Sequence, residues 1–152
     1  MPDAVRVASR TTCAYAETMF HQRAESPLLL NGFAAAHRFF AGCLAEAGPE
    51  KEHLWVAHVD DQARCIHLAR HDGDVSGATL SLRDVIRDAA THGSVGVILA
   101  HNHPGGDATP SADDRLITRR LALAAEAVDL ALLDHLVMAG PDCRSMRAMG
   151  LL

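Results

Sequence analysis

Aromatic side chains make up only 4% of this chain of 152 residues. Its core must therefore be largely aliphatic, and 49% hydrophobic residues supply the material for one. Long apolar runs are lacking as well: "SVGVILA", Ser94 to Ala100, falls far short of the ~20 residues that a membrane-spanning helix needs. No membrane partner is expected. The N-terminus, "MPDAVRVASRTTC", has no charged start followed by a long apolar stretch, so no secretory signal is read and a cytoplasmic location is expected. The four cysteines, Cys13, Cys43, Cys65 and Cys143, form no C-x-x-C pair, which argues against a disulfide framework or a cysteine-bound zinc. Excess positive charge is missing too. At a formal net charge of −5 the surface is not broadly attractive to nucleic acid. Arg115, Arg119 and Arg120 recur at helical spacing, and a solvated helix face explains them more cheaply than a DNA footprint.

The length suits one domain, large enough to bury a core without staples. The first fifty residues read as helical, with "GFAAAHRFFAGCLAEAG" (Gly32 to Gly48) clearest and the Gly48-Pro49 pair as its stop. They are expected to form an N-terminal helical arm, residues 1–50, that packs on a domain of residues 51–152. In "EHLWVAHVD" the side chains of Glu52, Leu54, Val56 and His58 fall on one side and those of His53, Trp55, Ala57 and Val59 on the other, which predicts a strand. "ARCIHLARH" (Ala63 to His71) follows the Asp60-Asp61 turn as the second strand of a hairpin. "SLRDVIRDAATHG" is a helix from the Ser81 cap to Gly93, and "SVGVILA" suits a strand buried on both faces. A helix over "SADDRLITRRLALAAEAVD" and a strand over "LALLDHLVMAG" complete a β-β-α-β-α-β order. The fold class is mixed α/β.

The strand "SVGVILA" delivers the chain to "HNHPGGDATPSADD". Alternation lets His101 and His103 point the same way while Asn102 points elsewhere. Pro104, Gly105 and Gly106 turn the backbone, and the next helix brings Asp114 back in its first turn. Two neutral imidazoles and one carboxylate leave a tetrahedral zinc position free for water, the pattern of catalytic zinc. Hydrolysis also needs a base that takes the water proton and passes it to the leaving group. Glu52 is an attractive candidate, because it opens a strand whose side is otherwise apolar, where an unpaired acid is costly if buried. Ser111 would stand beside the reaction centre with a hydroxyl for an oxyanion. Taken one at a time these signals are ordinary: the chain has ten histidines, and S-x-x-D before an apolar run is a capping box. Their coincidence in one short window, with no aliphatic side chain larger than alanine between Pro104 and Asp114, favours a metal site.

His101-x-His103, seven residues, then Ser111-x-x-Asp114, with Glu52 upstream, resembles the JAMM motif of the JAB1/MPN metalloprotease superfamily. Within it, "EHLWVAHVD", "SLRDVIRDA", "VILAHNHPGGDATPSADDRLITRRL", "LLDHLVMAG" and a final "SMRAMGLL" resemble segments of the bacterial RadC family, in order, from about Glu52 to Leu152. The resemblance implies a JAB1/MPN-like mixed β-sheet flanked by helices, with cytidine-deaminase-like layering. It also implies one zinc ion per chain on His101, His103 and Asp114, Glu52 as general acid/base and Ser111 as oxyanion helper. Asp134 and His135 match a family "DH" pair that would buttress the site. The activity implied is that of a zinc metallopeptidase or isopeptidase acting on a peptide or protein substrate. Two other functions compete: a DNA-repair-associated factor that binds nucleic acid, after the family's old name, and a non-catalytic interaction module. A homo-oligomer is compatible with any of them.

Four departures stand out. Full-length RadC proteins carry an N-terminal helix-hairpin-helix region, of which the first fifty residues show no counterpart, so a short form is expected. Gly105 stands where the family usually has Ser, Leu82 where it has Pro, and Met146 where it has Phe.

Overall fold

A computed structural model describes residues 28–72 and 80–152 of the chain. Its described elements are, in order, α1 (Phe33–Ala47), β1 (His53–Val59), β2 (Cys65–Asp72), α2 (Leu82–His92), β3 (Gly96–Asn102), α3 (Ala112–Glu126), β4 (Ala131–Ala139) and β5 (Asp142–Ser145). The strands form one five-stranded sheet in the order β2-β1-β3-β4-β5. β3 and β4 run parallel, joined by α3 as a crossover, and the other neighbours are antiparallel. α1 packs on one face of the sheet, α2 and α3 on the other.

Each face has its own apolar core. On one, α1 presents Ala36, Phe39, Phe40 and Cys43, spaced as one helical stripe, to Trp55, Ala57, Val59, Leu68, Ile98, Ala100, Leu136 and Met138. On the other, α2 and α3 contribute Val85, Ala89, Leu121 and Ala125, which cover Leu54, Val56, Ala69, Val97 and Leu99. All seven positions of β1 and of β3 are buried, as expected of central strands covered twice. α1 thus packs on the central strands of one face of the sheet, and Leu29, just before it, bridges to Arg64 beside β2. The part of the expected N-terminal arm before residue 28 lies outside the described residues.

Two of the helices, α2 and α3, start at side-chain caps. The Ser81 hydroxyl accepts from the Asp84 N–H at 3.2 Å to open α2. Ser111 and Asp114 form a reciprocal capping box at the start of α3. The sequence reading missed β5, a four-residue strand after the tight turn at Gly140 that pairs Ala139 with Asp142 and Leu136 with Ser145. Too short for a visible alternation, it forms because β4 offers it an edge. No helix among the described residues is long and apolar enough to cross a membrane.

Candidate metal centre

The strand register decides which side chains meet. β1 and β3 are antiparallel, with Leu54 opposite His101, so the residue that precedes β1 by one lies beside the end of β3. That residue is Glu52. The His101 Nε2 and His103 Nε2 atoms lie 2.8 Å apart. Asp114 comes to them from the first turn of α3, its Oδ2 at 3.2 Å from His101 Nε2 and 3.1 Å from His103 Nε2. Each of Glu52, His101, His103 and Asp114 offers one donor atom, and these four atoms all lie within 4.8 Å of one another.

The outer hydrogen bonds select the tautomers. His103 Nδ1 lies 2.7 Å from the Asp107 carbonyl, which can only accept, so Nδ1 carries the proton and Nε2 keeps a lone pair for the cluster. His101 is fixed through a longer chain. The Thr118 hydroxyl donates to the Asp114 carbonyl at 2.6 Å and, having one hydrogen, accepts at its oxygen from His135 Nδ1, also at 2.6 Å. His135 Nε2 is then an acceptor and takes the proton of His101 Nδ1 at 2.7 Å. His101 Nε2 is left with its lone pair toward His103 and Asp114.

Two lone pairs and a carboxylate oxygen pointed at one another repel unless a cation or a proton lies among them. Zinc bonds nitrogen at about 2.0–2.1 Å, which at a tetrahedral angle sets neighbouring donors roughly 3.3 Å apart, close to the spacing found here. The donor set fits a divalent metal ion. In the metal-free cluster burial acts to raise the Asp114 carboxyl, but a proton on His101, through its hydrogen bond and charge, with the N–H and hydroxyl of Ser111, more than offsets it. The group ends well below the usual carboxylate range, ionised as a ligand must be. Burial comes first among the causes that push His135 well below the ordinary histidine value, the neighbouring His101 second. A neutral His135 is what the tautomer chain requires.

Ser111 stands next to the cluster without joining it. Its N–H donates to Asp114 Oδ2 at 2.8 Å and its Oγ accepts from the Asp114 N–H at 3.0 Å. The "DH" pair divides between the two faces of the sheet. His135 backs His101, whereas the Asp134 carboxylate accepts from Ser145 Oγ at 2.6 Å and from the N–H groups of His135 and Arg147, tying β4 to the C-terminal turn. Two residues of the site escaped the sequence reading. Thr118 follows Asp114 by four on α3, a spacing that could have flagged it as sharing Asp114's face. Asn102 lies inside the H-x-H pair but was read only as pointing away.

Comparison with known proteins gives the family. The family model described as "RadC-like JAB domain" matches residues 30–151. The chain belongs to the RadC family. A UPF0758 protein of Bordetella petrii, Bpet3149, is 41% identical over 118 residues, 76% of this chain and 51% of its own length. The Escherichia coli K12 protein YfjY, also named UPF0758, is 38% identical over 110 residues, 72% of this chain and 69% of its own. A Bordetella parapertussis relative is 39% identical over 112 residues, 49% of its length. The chain thus spans about half the length of the Bordetella proteins that it matches.

Within the RadC family pattern, the three point departures fall in different places. Leu82 packs against the α2–α3 core. Gly105 is exposed in the loop after His103, where an added Cβ would meet nothing within 4 Å. Met146, fully buried, lies closer to the site than the sequence suggested, since its sulfur is 3.7 Å from the Thr118 hydroxyl that orients His135.

Proposed function

We propose that this chain is a zinc-dependent hydrolase of the JAMM type that cleaves a peptide or isopeptide bond. One observation carries the proposal: a carboxylate 49 residues upstream of His101, with no part in the turn-and-helix motif, is within 4.8 Å of all three of its donor atoms. A capped helix needs no such group. His101, His103 and Asp114 would hold the ion, which when bound lowers the pKa of water and polarises a carbonyl.

The remaining work belongs to side chains. Glu52, half-buried at the cluster's edge, takes the proton of the attacking water and delivers it to the leaving amine. Ser111 offers its hydroxyl to the oxyanion, a smaller contribution than that of the base. His135 and the Asp107 carbonyl keep both imidazoles in the tautomer that leaves Nε2 unprotonated. The substrate is a protein or peptide.

The test compares wild type and Glu52→Gln against a panel of peptide and isopeptide substrates, with zinc measured in both. The expected outcome is products from wild type alone and stoichiometric zinc in each. Cleavage unaffected by Glu52→Gln, or protein that takes up no zinc, would remove the proposal.

A further inference from the structure

β1 and β3 stop exchanging residue partners at Leu54 and His101, two residues before the chain reaches Glu52 on one side and two before it reaches His103 on the other. The ladder is nonetheless continued, by a side chain. The Asn102 carboxamide oxygen accepts from the His53 N–H at 2.7 Å, and its NH₂ donates to the Lys51 carbonyl at 2.8 Å. Those two backbone groups belong to the two peptide units on either side of the Glu52 Cα. A carboxamide carries one acceptor and a donor in a plane, as a peptide group does, and so can replace a missing residue of the ladder. Asn102 is only 2% exposed, so water cannot readily take over either bond. The segment has a second brace in the His53 ring, whose Nε2 lies 3.1 Å from the Gly48 carbonyl at the end of α1.

From this geometry we infer that Asn102 is a positioning residue for Glu52. The residue between the two proposed metal-binding histidines fixes the backbone from which the proposed base projects, so one three-residue strand end sets both the ion and the carboxylate. The inference rests on the reading of Glu52 as the base. Asn102 touches no reacting atom, and its contribution is made wholly through the placement of Glu52. Aspartate at this position would keep the acceptor for His53 but set a carboxylate oxygen against the Lys51 carbonyl, and alanine would free both peptide units. Neither change removes a zinc donor.

The test uses Asn102→Ala and Asn102→Asp, each alone and combined with Glu52→Gln, on whichever panel substrate the wild type cleaves. A displaced base should lower kcat by about ten- to a hundredfold with KM and zinc content unchanged. Because Asn102 acts through Glu52, the double variants should be no slower than Glu52→Gln alone, to within about twofold. Hydrogen exchange at the His53 amide, followed in the metal-free protein, should speed up at least about tenfold in Asn102→Ala, and Asn102→Asp serves if the alanine variant does not fold. Losses that multiply in the double variants, or exchange at His53 that stays at the wild-type rate, would overturn the inference. A wild type that cleaves nothing would instead overturn the hydrolase reading, while the exchange measurement still decided whether Asn102 holds the Glu52 segment.

Discussion

The His101 ring is held at Nδ1 by the Nε2 of His135, 2.7 Å away, and His135 is itself fully buried and bonded to Thr118. A ligand whose outer nitrogen has a fixed acceptor needs no reorganisation to present the inner one. His135→Leu should therefore weaken zinc binding by about ten- to a hundredfold, read by competition with a chromophoric chelator. Thr118→Val keeps the volume but strands the His135 Nδ1 proton, and should cost about 1–3 kcal/mol of stability in urea melts of the metal-free protein. Zinc affinity unchanged in His135→Leu would mean that the buried histidine only fills space.

Metal binding can be separated from base chemistry by thermal melting. A folded chain that holds the ion in this cluster has a site that the unfolded chain lacks, so zinc at about a hundredfold over Kd should add roughly 2.7 kcal/mol to stability. His103→Ala and Asp114→Ala should abolish that shift, because each removes a donor that lies 3.1 Å from the other. Glu52→Gln should keep it. A shift that disappeared with Glu52 would make this carboxylate a fourth ligand, leaving no base in the cluster.

Much of this was legible in the sequence because local rules and tertiary demands agreed. Helix-period stripes, caps at Ser81 and Ser111, and the apolar run into His101 each predicted an element that the fold contains. The candidate metal-binding residues were readable for the same reason, since strand alternation and one capped turn bring His101, His103 and Asp114 together within fourteen residues. Long-range register was not. Nothing in the local pattern states that Leu54 faces His101, so the proximity of Glu52 rested on chemistry and family resemblance until the sheet supplied it. β5, Thr118 and the bonds of Asn102 were hidden likewise, because partners distant in sequence define them.

The loop between His103 and Asp107 tests how much a missing hydroxyl matters. Gly105 has no positive φ, and its Cβ direction is open, so Gly105→Ser restores the family's usual residue without strain. It should raise stability by about 0.4–1 kcal/mol through the unfolded chain. Gly106 sits at φ 87, where its N–H closes a turn on the His103 carbonyl at 3.1 Å. Gly106→Ser should cost about 1–2 kcal/mol and weaken zinc binding, since the strain is applied next to a ligand. Equal melting temperatures for the two variants would contradict this contrast.

Acid should destabilise the protein from a place remote from the metal centre. His58 and His67 face each other across β1 and β2, His67 stacks on His92 of α2 at a centroid distance of 4.0 Å, and Asp88 lies 3.6 Å from His67. Burial first, then the charge of His67, lowers the His58 pKa to about 4, with Asp88 opposing. Burial and His92 lower His67 in the same direction. The folded state thus refuses protons that the unfolded chain accepts near the ordinary value of 6.5, so stability is fully present above that pH and is lost as pH falls toward 4. For His58 alone the loss is on the order of 3 kcal/mol. Denaturant midpoints measured between pH 7 and pH 4 should fall across this window, and His58→Asn should flatten the fall whatever it does at pH 7. A midpoint that held steady from pH 6.5 to pH 4.5 would mean that the cluster takes up its protons in the folded state, with Asp88 compensating the added charge.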